Sequence, residues 1–137
     1  MLRVNPHLPF NGDCETAFRF YETTLGAKVT FLMTYGNSPM ADSTKPGWQG
    51  KILHASLLLG GETLTGADAP PDQYRPQQGI ALLLSADTVE EAERIFTALS
   101  SGGAVQMPIQ ETFWALRFGM LVDRFGIPWM INCSKPM

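Results

Sequence analysis

The chain carries one pattern twice, and that repeat constrains its fold more than any other feature. Cys14, Ala17, Phe18, Tyr21 and Leu25 fall at helical spacing, so they form one apolar stripe on a helix expected from about Asp13 to Thr24. Val89, Ala92, Ile95, Phe96 and Leu99 make a similar stripe in the second half. Ala17, Phe20 and Tyr21 match Ala92, Ile95 and Phe96 at a constant offset of 75 residues. Asp13 is placed to cap the first helix and Gly26 to stop it, while Thr88 with Glu91 reads as a capping box for the second, which Gly102 and Gly103 end.

Around each helix the chain reads as strands. The first half offers Val4 to Phe10, Lys28 to Tyr35, and a hairpin of Ile52 to Leu59 with Glu62 to Thr65 across Gly60-Gly61. The second offers Ile80 to Ser85, Ala104 to Ile109, Trp114 to Val122 and Pro128 to Cys133, the last two joined by the turn Asp123 to Gly126. Both halves therefore run strand, helix, strand, strand, strand. Each has one helix for one face of a four-stranded sheet, so neither half is expected to fold alone. The reading is α+β, two tandem βαβββ modules in one domain over residues 1–137. Module one covers about residues 1–68, a polar, proline-bearing linker about 69–78, and module two about 79–137.

Composition removes several function classes. Ten Lys plus Arg stand against thirteen Asp plus Glu, a net charge of -3, and the basic residues are scattered. Nucleic acid and anionic membrane both need concentrated positive charge, so neither is expected as a partner. The longest apolar runs, Leu57 to Leu59 and Ile80 to Leu84, are far below the roughly 20 residues that span a bilayer. Two cysteines, Cys14 and Cys133, make no disulfide framework, and no basic-then-apolar signal segment opens the chain, so a reduced, cytoplasmic setting is expected. Cys14 lies on the apolar stripe and reads as inert core, and neither thiol reads as a nucleophile. No phosphate-loop string is present. Only two histidines exist, His7 and His54, which excludes an imidazole-rich metal site within one chain.

Three segments carry a family resemblance. The opening HLPFNGDCETAFRFYETTLGAKV (His7 to Val29) resembles the first strand and helix of the vicinal oxygen chelate superfamily, which includes glyoxalases, bleomycin-resistance proteins and ring-cleaving dioxygenases. The segment ILHASLLLGGETL (Ile52 to Leu64) and the closing ETFWALRFGMLVDRFGIPWMINC (Glu111 to Cys133) resemble its PhnB-like branch more narrowly, and the resemblance covers essentially the whole chain. It implies glyoxalase-like mixed sheets forming an open cup, and a homodimer, which the need to cover two bare sheet faces also suggests.

The resemblance further implies four metal-ligand positions, from the first and last strand of each module. Here they fall on His7, Thr65, Gly79 and Met130, and a slip of a residue or two would bring in only Glu62 or Gln78. His7 suits the role, but Thr is a weak ligand, Gly offers no side chain, and a thioether is a poor partner for a hard or borderline dication. No metal and no other cofactor is therefore expected. The candidate ligand-binding residues are His7, His54, Trp48, Glu111, Trp114, Arg117 and Met130. His7 faces away from Val4, Leu8 and Phe10, toward the pocket. His54, in an apolar strand, is either hydrogen-bonded structure or pocket. Arg117 can clamp an anion if its strand turns it inward and is solvated otherwise, while Glu111 is either a general base or a surface carboxylate. Trp48 closes a long loop, Gly36 to Gly50, that reads as a lid or a dimer contact. The expected function is binding of a small molecule without a catalytic metal. The alternative is a lyase, isomerase or dioxygenase-like enzyme acting on a small oxygenated metabolite, with His7 in its active site.

Overall fold

A computed structural model describes residues 1–136. The chain divides into two compact units, Met1–Arg75 and the stretch from Pro76 onward. The first contains β1 (His7–Phe10), α1 (Cys14–Leu25), β2 (Lys28–Thr34), β3 (Ile52–Leu59) and β4 (Glu62–Asp68). The second contains β5 (Leu82–Ser85), α2 (Val89–Ser100), β6 (Ala104–Gln110), β7 (Ala115–Val122) and β8 (Pro128–Ser134). The sheets run β1-β4-β3-β2 and β5-β8-β7-β6, with β1·β4 and β5·β8 parallel and the remaining pairs antiparallel. This is the tandem βαβββ arrangement of the glyoxalase-like fold.

Each helix presses its stripe onto one face of its own sheet. In the first unit Cys14, Ala17, Phe18 and Tyr21 are fully buried against strands that contribute Phe10, Ala55 and Leu57. Phe18 meets Phe10 edge-on, with ring centroids 5.8 Å apart. Gly66 of β4 makes room for Phe18, since a Cβ there would lie 2.7 Å from its ring. The second unit repeats the device: a Cβ on Gly119 of β7 would lie 2.6 Å from the ring of Phe96 on α2. Both glycines let an aromatic side chain of the helix settle directly on the sheet.

Several boundaries differ from the sequence reading. The first strand starts at His7 rather than Val4, which is 91% exposed, because pairing with β4 opens at His7 with Thr65. Edge position lets the strand keep Pro9, which has no N–H to donate. Asp13 makes no side-chain cap for α1; the Cys14 N–H is instead accepted by Asp68 Oδ1 at 2.9 Å, from the end of β4. A cap supplied from 54 residues away is a tertiary decision. Thr88 does cap α2, its hydroxyl accepting from the Glu91 N–H at 3.1 Å.

Among the described residues, no helix is long and apolar enough to cross a membrane.

Candidate functional site

The alternation of each strand leaves a second face, turned away from the helix. In the first unit, Leu8 and Phe10 go to the helix, so His7 and Pro9 go to the other side. Register then builds that face in rows. His7 pairs with Thr65, Thr65 with Ser56, and Ser56 with Phe31, which makes one row across all four strands. His54 with Met33 begins the next row. Sequence reasoning singled out the two histidines but not Thr65 as a hydrogen-bonding partner, nor Ser56, Phe31 or Met33. Only the register brings those onto one face.

His7 Nδ1 lies 2.7 Å from Thr65 Oγ1. Thr65 Oγ1 also lies 3.4 Å from the Pro6 carbonyl, so its single hydrogen goes either to that carbonyl or to Nδ1, and the tautomer of His7 follows from that choice. Partial burial holds the His7 imidazole below the usual histidine range, and the charge of His54 lowers it further. His7 is therefore a neutral imidazole at neutral pH, competent to accept a proton or a hydrogen bond. His54 lies against Phe31, with ring centroids 5.9 Å apart.

A pH titration checks this. Because the folded-state value is depressed, the resulting stabilisation is complete above about pH 6.5 and is lost as pH falls from there through the His7 midpoint. NMR of the imidazole protons should give His7 a midpoint below that of a model peptide, moving upward in His54→Gln. A His7 midpoint at or above the model value would contradict the assignment.

In the second unit the corresponding face carries Leu83, Met130, Met120 and Met107 in one row. Ser85, Asn132, Phe118 and Gln110 form the next. Trp114 and Phe113 precede β7, with Trp114 5.3 Å from Phe118 and 4.8 Å from Phe113 between ring centroids. Among the described residues, the buried Asn132 Oδ1 stands without a hydrogen-bond partner.

Other expected positions go elsewhere. Arg117 turns to the helix side, where its Nε is 3.3 Å from Glu93 Oε1, so it does not join the face of Met120 and Phe118. Unbroken pairing from Arg117 to Val122 keeps it on the side of Gly119 and Leu121, which meet α2; alternation alone left open which of the two sets that is. Glu111 is paired with Lys135 at 3.2 Å and is 63% exposed, the arrangement of a surface carboxylate. Trp48 packs edge-on against Tyr35, with ring centroids 5.7 Å apart, and the Tyr35 hydroxyl donates to the Asp68 carbonyl at 2.8 Å. The long loop is thus tied down at its base, with Gly36 N–H also donating to Gln49 O at 2.9 Å.

Gly79 is a correction. It precedes β5, which starts at Leu82, and the residue that pairs with Met130 on the strand equivalent to β1 is Leu83. The four positions that resemblance assigns to a metal are therefore His7 and Thr65 in one unit, Leu83 and Met130 in the other. One imidazole whose Nδ1 is engaged, a hydroxyl, an alkyl group and a thioether do not fit Zn²⁺, Fe²⁺ or Mn²⁺. Among the described residues no group of three or more His, Cys, Asp or Glu is placed to hold an ion. Cys14 is buried beside Asp68, and burial pushes its thiol far above the usual range, leaving it inert.

Two tandem βαβββ units, each with a helix on one sheet face and a mixed polar and apolar surface on the other, define a protein of the glyoxalase-like fold. Within that class the chain belongs to the PhnB-like family described as 3-demethylubiquinone-9 3-methyltransferase, whose sequence model matches residues 3–132. The chain is 36% identical to the protein YjdN of Escherichia coli over 140 residues, spanning 96% of this chain and 95% of YjdN. The crystal structure of PA1353 from Pseudomonas aeruginosa superposes with a TM-score of 0.89 at 42% identity, covering 99% of this chain and 100% of that one. A PhnB protein from Bacillus cereus, at 24% identity and a TM-score of 0.83, covers 97% of this chain and 100% of its own and shares the fold.

Proposed function

We propose that this chain binds a small oxygenated molecule on the sheet faces turned away from its helices, without a divalent catalytic metal. The observation that carries the reading is the His7–Thr65 pair, a neutral imidazole with Nε2 available on a face shared with Ser56, His54, Phe31 and Met33. Such a face offers a few polar groups among apolar ones, the mixture that orients a ligand while desolvating it. A hydroxyl, carbonyl or carboxyl of the ligand meets His7 and Ser56, and a ring or alkyl part meets Phe31 and Met33. In this reading the chain is a cytoplasmic homodimer.

The test is a thermal-shift screen of metabolites and antibiotics, including demethylated quinones of the kind the family's description names. A hit should stabilise the unmodified chain and lose most of that shift in His7→Ala, whose own melting temperature stays close to the parent's. Stabilisation that survives in His7→Ala would remove His7 from the site. Stoichiometric Fe, Zn, Mn or Ni in protein purified without chelator would remove the metal-free reading. On the same sample, a single-chain mass by light scattering at micromolar concentration would remove the dimer.

A second reading rests on the depressed His7 protonation: an enzyme acting on a small oxygenated metabolite, with His7 as general base. The same hit distinguishes the two. Chemical conversion of the compound by the parent chain, absent in His7→Ala, supports the enzyme; an unchanged compound supports the binder.

A further inference from the structure

The second unit holds a feature that the His7 face does not use. Met107 pairs with Met120 and Met120 with Met130, so three thioethers stand side by side across β6, β7 and β8. Met120 and Met130 alternate with Gly119, which lies beneath Phe96, and with Leu121, Trp129 and Ile131, buried on the helix side; Met107, between two irregularities of β6, takes its side from its direct pairing with Met120. The three methionines are half-buried on the opposite face. Adjacent strands lie about 4.8 Å apart, so the outer two backbones are separated by about 10 Å. Each methionine has three rotatable bonds, which gives side chains on neighbouring strands the reach to bring their sulfurs together over Met120.

What surrounds the row decides its chemistry. Leu83 closes it on β5, and the buried Phe118, with Trp114 against it, occupies the next row beside Met120. Uncharged sulfur donors give a hard dication no charge compensation, and the Ser85, Asn132 and Gln110 side chains of the next row are neutral as well. A soft monovalent ion needs none, and thioethers select for it. The rings of Phe118 and Trp114 offer a further attractive surface to a cation.

We propose that Met107, Met120 and Met130 form a thioether site for a soft monovalent cation, Cu(I) by chemical class. The site does not depend on the small-molecule reading, because it uses neither His7 nor any residue of the first unit.

The test uses the full chain labelled with carbon-13 at the methionine ε-methyl groups and titrated with Ag(I), a soft monovalent probe that does not change oxidation state. Of the seven methionines, the signals of Met107, Met120 and Met130 should move together and saturate at one ion per chain, and Zn(II) should leave them in place. Cu(I) supplied anaerobically should reproduce the Ag(I) shifts. Met120→Leu, close in volume, should lose the saturable response, and Met40→Leu should keep it. Norleucine in place of every methionine preserves shape and removes sulfur, so binding should vanish while the unfolding midpoint holds. Failure of those three signals to move, or an equal response in Met120→Leu, overturns the proposal. So does an ion taken up by Cys14 or Cys133 while the three methyl signals stay still.

Discussion

Asp123→Ala is expected to lower the unfolding free energy by about 4 kcal/mol, measured by urea titration. Asp123 is 3% exposed, and its carboxylate organises the β7–β8 turn from inside. Oδ1 accepts from Phe125 N–H at 2.9 Å and from Ile127 N–H at 3.0 Å, while Oδ2 accepts from Trp129 Nε1 at 2.8 Å. Alanine strips the acceptor from two buried amides and from a fully buried indole, and each orphaned donor costs about 1–3 kcal/mol. Against a total stability of about 5–15 kcal/mol, that is a large share. Asparagine keeps one acceptor oxygen and should recover about half the loss. A cost below about 1 kcal/mol for alanine would show that water replaces the carboxylate and that the turn does not depend on it.

The second large effect is expected at Asp68→Ala, at about 3 kcal/mol by the same measurement. Asp68 is 1% exposed and joins three elements. Its Oδ1 takes the first amide of α1 at Cys14, its Oδ2 takes the first amide of β3 at Ile52 at 2.8 Å, and its own carbonyl receives the Tyr35 hydroxyl. Truncation should therefore be read locally as well as globally. Amide exchange at Cys14 and Ile52 should accelerate more than at the centre of β3, while the Trp48 fluorescence should hold, because Tyr35 bonds the main-chain carbonyl of residue 68, which alanine keeps. Unchanged protection at both amides would sink this account. Because His54 lies two residues from Ile52 on β3, loosening that strand should also disturb the His7 midpoint.

Both aspartates illustrate why parts of this protein were not legible in its sequence. Asp68 ends a strand and Asp123 opens a turn, and either is an ordinary place for a surface carboxylate. Their roles arise because the fold delivers amides from distant segments to them. Asp13, by contrast, occupies the local position for a helix cap and makes no side-chain bond to the helix, while the first amide, at Cys14, is taken by Asp68 from the end of β4.

The candidate site shows the same division. His7 was placed away from the helix by alternation alone, because Leu8 and Phe10 leave it no other side. Arg117 could not be placed that way. Its strand alternates regularly from Arg117 to Val122, and only the packing of Gly119 under Phe96 shows which set meets the helix. The resemblance puts the counterpart of His7 in the second unit at Gly79, but the strand begins three residues later, and only pairing with Met130 identifies Leu83. The methionine row was visible as three scattered residues, and no spacing rule connects residues on three different strands.

What the sequence determined by itself is the element order, the repeat and the helix faces. Each follows from periodicity within about a dozen residues, where burying an apolar stripe dominates the local free energy. What only the tertiary structure decided is which side chains become neighbours: Thr65 beside His7, Glu93 beside Arg117, and three methionines abreast. Register couples strands far apart along the chain, and one residue of slip changes every neighbour, so the chemistry of both faces rests on a quantity that no local pattern encodes.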